Sequence, residues 1–154
     1  MEEQVLFDWD DKNGIATCIL TDKNNHTFYG EAHCHPKDQD MMSEKTGYAI
    51  AFRRAYIKTL CYYRDTECKP NLKALKQFFN SINQSKDYDE NNYIVKRLLK
   101  HITMAQEDLD ITNELIKSER KTLRQYIDQK DEFYGKIRNN RQKESMKNVL
   151  VKNK

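Results

Sequence analysis

Residues 3–9 (EQVLFDW) mix apolar with acidic positions, and residues 15–21 (IATCILT) are β-branched and apolar, so both read as strands. Between them DDKNG carries Asn13–Gly14, the dipeptide of tight hairpin turns. A second turn, DKNN, leads into residues 26–35 (HTFYGEAHCH). Here Thr27, Tyr29, Glu31, His33 and His35 share one face, and Phe28, Ala32 and Cys34 take the other. The pattern predicts a three-stranded antiparallel meander with one packed face and one wet face. Pro36 ends the third strand, and KDQD forms a loop.

The period then changes. Ser43, with Glu44 in the first turn, opens a helix that should run to about Arg64. Pro70 opens a short second helix in which Leu72, Leu75, Phe78, Phe79 and Ile82 recur at helical spacing. QSKDYDE is a polar connection. From Asn91 to Ile137 there is no proline, and Gly135 is the lone glycine. Val95, Ile102, Leu109, Ile116, Leu123 and Ile137 fall on one seven-residue spacing, interrupted by Lys130. Leu98, Ala105, Thr112, Glu119, Tyr126 and Phe133 are their companions, giving a heptad seam with a polar middle. The segment reads either as one long helix or as a hairpin breaking near residues 110–113. So long a seam calls for a partner surface, and self-association through it is expected.

The expected fold class is therefore α+β: an N-terminal three-stranded antiparallel sheet followed by helices, with a long C-terminal helix or helical hairpin. Residues 1–88 form a ligand-binding core of sheet and helix, and residues 89–138 the helical oligomerisation segment. Residues 139–154, which lack an apolar period, form a basic disordered tail.

Composition changes this picture in two respects. Hydrophobic residues are 38% of the chain and charged residues 33%, too polar for one fully packed core of this length. No run approaches the apolar length of a membrane span, and the acidic N-terminus MEEQVLFDWD has no positive leader region. A cytoplasmic location with reduced thiols at Cys18, Cys34, Cys61 and Cys68 is expected.

The net charge of +3 is unevenly distributed. Residues 1–45 hold 4 basic and 10 acidic side chains, residues 46–88 hold 8 and 3, and the tail from Arg138 holds 6 and 1. An anionic ligand should therefore seek the middle helices or the tail.

On a helical wheel centred on Ile50, Ala49, Tyr56, Ile57, Leu60 and Cys61 form the apolar face. Arg53 falls inside it, Arg54 on its edge, and Lys58 one turn beyond Arg54. Arg54 and Lys58 can face a semi-buried phosphate. Equally, Arg53 can snorkel and Arg54 pair with an acidic sheet residue. Adjacent Phe78 and Phe79 cannot both point inward, so one can offer a stacking face beside Asn80, although both can equally be core. His33 and His35 share a strand face, yet no second pair of ligands is spaced to close a zinc site. His33 is instead a hydrogen-bonding residue near the loop and a candidate for contacting the ligand. Phosphate-loop, serine-hydrolase and zinc-protease motifs are missing, so no catalytic residue, metal or cofactor is assigned.

The segment Gly30–Leu60, GEAHCHPKDQDMMSEKTGYAIAFRRAYIKTL, joins an A-x-C-H strand end, an S-E-x-T-G helix start and an R-A-x-I-K helix. With the long charged helix behind it, the chain resembles the phage anti-Thoeris nucleotide sponges. The resemblance implies a bacteriophage anti-defence protein in the host cytoplasm. It implies dimers or larger oligomers that sequester cyclic ADP-ribose isomers, with some members also holding cyclic oligonucleotides, and no degradation of the ligand. It places Arg54, in the R-A motif, against a ligand phosphate; Phe78, Phe79 and Asn80 are candidates by residue type around an adenine. Two other readings stay open: a double-stranded-RNA-binding-like module, disfavoured by the acidic sheet, and a phage adaptor docking a host protein through its coiled coil.

Overall fold

The computed structural model describes residues 2–34, 43–85, 89 and 91–152. His35, Pro36, the KDQD loop and most of the QSKDYDE link lie outside the described residues. Three strands, β1 (Gln4–Asp10), β2 (Ile15–Thr21) and β3 (Thr27–His33), pair antiparallel in the order β1-β2-β3, the meander that the alternation predicts. Side chains set both turns. The Asp10 carboxylate accepts hydrogen bonds from the Lys12 and Asn13 amides and from Asn13 Nδ2, at 3.1, 3.2 and 2.7 Å, and Gly14 supplies φ 64°. In the second turn Asp22 accepts from the Asn24 and His26 amides at 2.8 and 2.9 Å, and Asn25 takes φ 65°.

Register decides what each face carries. Across the strands Trp9 aligns with Ala16 and Ala32, and Phe7 with Cys18 and Gly30. Ala16, Cys18, Gly30 and Ala32 are buried, so the packed face is lined by small side chains. Helix α1 (Glu44–Tyr63) lies on it through Ile50, Ala51 and Ala55, with Trp9, Leu20, Tyr48 and Phe52 around the rim. Gly30 permits this approach: a Cβ there would overlap the Ala51 carbonyl oxygen and stand 2.5 Å from the Ala55 nitrogen.

The apolar face expected for α1 is therefore rotated. Tyr56, Leu60 and Cys61 are half-buried, while Ala51 and Ala55 are buried. Backbone-to-backbone approach selects small residues over large ones, a preference that hydrophobicity counting does not register.

After α1 the chain passes through a π-helical turn, Arg64–Cys68, straight into α2 (Lys69–Asn83). Pro70 sits in the first turn of α2, where its missing N–H costs nothing. The last element, α3 (Tyr93–Lys152), is a single helix of 60 residues. This settles the choice between helix and hairpin: Thr112 and Asn113 continue the helix. The tail expected to be disordered is helical to Lys152, because residues 139–152 contain neither proline nor glycine to stop it.

The chain divides into two compact units. A sheet unit comprises Met1–Tyr56 with Arg120–Lys154, and a helical unit comprises Ile57–Glu119. Within the helical unit Val95, Leu98, Ala105, Thr112 and Ile116 of α3 are buried together with Cys68 and Leu72. The first half of the heptad seam is thus covered by its own chain, which removes the physical reason for expecting a second copy there. Within the sheet unit the inward positions are Leu123, Ile127, Lys130 and Tyr134, whereas the predicted companions Tyr126 and Phe133 are 39% and 59% exposed. A strict seven-residue spacing stays on one face only under supercoiling, and a straight helix drifts about 20° per heptad.

The polar middle of the seam has a local cause. The Thr112 hydroxyl donates to the Asp108 carbonyl at 2.8 Å and lies 3.8 Å from Cys68 Sγ. The Tyr63 hydroxyl donates to Asp108 Oδ2 at 3.0 Å, and that bond, with burial second, pushes the phenol up to about 12. The raised value favours the protonated form in the folded state. Its stabilising contribution is whole below pH 10 and is lost as the pH rises through about 12. An ultraviolet titration should show a late-ionising tyrosine fraction, and Asp108→Asn should shorten the delay of its last component while leaving the part due to burial. Tyrosines that all titrate together in the parent would refute the contact.

Candidate functional site

An open cleft in the sheet unit is formed where the strand ends meet the start of α1 and the second half of α3. The sheet end is fixed by the Cys34 amide, which donates to the Gly14 carbonyl at 2.8 Å. The helix start is fixed by Ser43, whose Oγ accepts from the Thr46 amide at 3.3 Å and whose carbonyl accepts from Gly47 at 2.9 Å. Gly47 is needed for this packing: a Cβ would stand 2.8 Å from Ala16 Cβ and 3.1 Å from Trp9 Cζ3. Tyr48, next in the helix, is held by its hydroxyl donating to Glu44 at 3.1 Å and by the Trp9 ring at 6.2 Å.

The cleft is a shallow depression open to solvent, with a cavity volume of about 20 Å³, room for about one water molecule. Trp9 and Tyr134 supply aromatic surface, and Tyr134 is only 5% exposed. Lys130, its side chain 22% exposed, supplies the cation, with Asp131 at 3.8 Å. His33, Cys34 and Thr46 complete the polar lining. The amino-terminal end of α1 adds a positive helix-dipole end beside Lys130. Aromatic residues and a lysine thus border one shallow surface depression.

Of the residues singled out by sequence, only His33 lines this cleft. Its Nε2 lies 3.0 Å from Glu31 Oε2, an exposed pair on the strand end. Arg54 bonds to the scaffold: its Nη1 donates to the Glu31 carbonyl at 2.6 Å, tying α1 to β3. The rotated packing face accounts for this, since it carries Arg54 from the edge onto the sheet. Arg53 lies over the Tyr126 ring at 5.1 Å, the snorkelling arrangement. Lys58, Phe78, Phe79 and Asn80 belong to the helical unit. Lys58 and Asn80 are exposed, Phe78 is 57% exposed, and Phe79 is half-buried.

The sequence reading missed Trp9, Lys130 and Tyr134 as site residues. One signal was present: Lys130 interrupts the seven-residue apolar spacing where that spacing would place a buried side chain. Among the described residues no group of three or more His, Cys, Asp or Glu side chains is placed to hold a metal ion. No helix of the described residues is long and apolar enough to cross a membrane. In comparisons with known proteins, no family model, curated protein or solved structure matches the chain.

Proposed function

We propose that this protein binds a small anionic ligand of the nucleotide type and holds it without converting it. The observation that carries this reading is the shallow cleft that Lys130, Trp9 and Tyr134 line together at the amino-terminal end of α1. A purine needs an aromatic face, and a pyrophosphate needs a cation or helix amides. The resemblance of Gly30–Leu60 to the anti-Thoeris sponges narrows the ligand to a cyclic ADP-ribose isomer or a related cyclic nucleotide. In that setting the protein works in the cytoplasm of a phage-infected bacterium and sequesters an immune signal as a dimer or larger oligomer.

The deciding experiment follows the ligand. The full-length protein is saturated with a cyclic ADP-ribose isomer, denatured, and the released nucleotide analysed by chromatography and mass spectrometry. Stoichiometric recovery of the intact cyclic nucleotide is the expected result. A linearised product would mean an enzyme, with His33 and Cys34 the first residues to test. Lack of binding to every cyclic nucleotide tried would end the sponge reading.

A further inference from the structure

Two surfaces of the sheet unit are apolar, exposed and opposite in charge. The first is the outer sheet face. Register places Leu6, Ile19 and Tyr29 in one row across the three strands, with Leu6 58% and Tyr29 52% exposed. The adjacent row is Asp8, Thr17 and Glu31. Residues 2–34 hold 7 carboxylates against 2 lysines, so this apolar row sits in a strongly negative field.

The second surface is the end of α3. Every residue from Asn139 to Lys152 is exposed, including Met146 at 70%, Val149 at 55% and Leu150 at 66%. These three fall within an arc of about 100° on the helix. Lys143 and Lys147 border the arc on one side, and Arg141 and Lys152 on the other. A helix end whose residues are all exposed is marginal in water, and covering its apolar wedge would stabilise it.

We propose that the end of α3 from one copy of this chain lies on the outer sheet face of a second copy. The wedge of Met146, Val149 and Leu150 covers the Leu6–Ile19–Tyr29 row, and the flanking lysines face the carboxylate row. Both halves of the contact are present in every chain, exposed, and matched in polarity and charge, so a second copy satisfies both at once. An open antiparallel sheet face with a central apolar row is a ready platform for an amphipathic helix. This association is separate from ligand binding, and it replaces the heptad seam as the route to an oligomer, since the seam's first half is already buried within its own chain.

The test is sedimentation velocity on the full-length chain at micromolar concentration, with melting curves to confirm that each variant is folded. The parent should sediment above its single-chain mass of 18.4 kDa. Asp8→Lys and Lys147→Glu should each weaken association about tenfold or more, and Leu150→Ser should do likewise. Carrying both charge reversals should restore association to within about threefold of the parent, because the attraction is rebuilt with the signs exchanged. Raising salt should weaken the parent. A parent that is monomeric throughout, or reversals whose effects simply add, would overturn the proposal. Ligand affinity should be unchanged in these variants, which separates this result from any failure of the sponge reading.

Discussion

Gly30→Ala is expected to unfold the sheet unit at temperatures where the parent is stable. The added methyl has no room: it would overlap the Ala51 carbonyl oxygen and crowd the Ala55 nitrogen, both of them backbone atoms. No side-chain rotation relieves such a clash, so α1 has to lift from β3. Lifting it exposes Ala16, Cys18, Ile50 and Ala51, each at most 2% exposed, and strains the Arg54–Glu31 bond. Overpacking of this kind costs about 3 kcal/mol or more, a drop of roughly 10 °C in melting temperature for a chain of this size. Gly135→Ala is the internal control. Gly135 lies within α3 with nothing within 4 Å of an added Cβ, so alanine there should stabilise by about 0.5–1 kcal/mol. Equal melting of parent and Gly30→Ala would mean that α1 does not approach β3 this closely.

The second large effect separates scaffold from site. Lys130→Ala should weaken binding of a cyclic ADP-ribose isomer by roughly ten- to a hundredfold, from the ~1.5–3 kcal/mol of a charge-assisted contact to phosphate. Its melting temperature without ligand should fall by no more than the packing of its alkyl stem is worth, since among the described residues its ion pair is with Asp131, 3.8 Å away and itself 65% exposed. Arg54→Ala should behave in the opposite way. Losing the 2.6 Å bond to the Glu31 carbonyl should lower stability by about 1 kcal/mol and leave intrinsic affinity within about twofold of the parent. Calorimetric titration and thermal unfolding on both variants decide the matter. If Arg54→Ala lost affinity while Lys130→Ala retained it, the ligand would belong near the R-A motif, as the family resemblance implies, and the cleft assignment would be wrong.

The sequence by itself determined the local structure. Asp10 and Asn13–Gly14 specify one turn and Asp22 the other, because these interactions are between near neighbours and act in any context. The alternation of β3 correctly sorted Tyr29, Glu31 and His33 from Phe28 and Ala32, since strand geometry leaves only two faces. Ser43 marked the helix start, and the lack of proline, with Gly135 the lone glycine from Asn91 to Ile137, left one long helix or a hairpin open. Tertiary structure decided everything that depends on what lies opposite. The packed face of α1 rotated because Gly30 leaves a gap that Ala51 and Ala55 fill, and that rotation brought Arg54 onto the Glu31 carbonyl. The first half of the seam closed on its own chain, and in the second half Tyr134 took the inward place predicted for Phe133, because a straight helix does not keep a seven-residue period on one face. Lys130 and Trp9 stand 121 residues apart in the chain, and only the packing of α3 against the sheet and the start of α1 could bring them to one cleft.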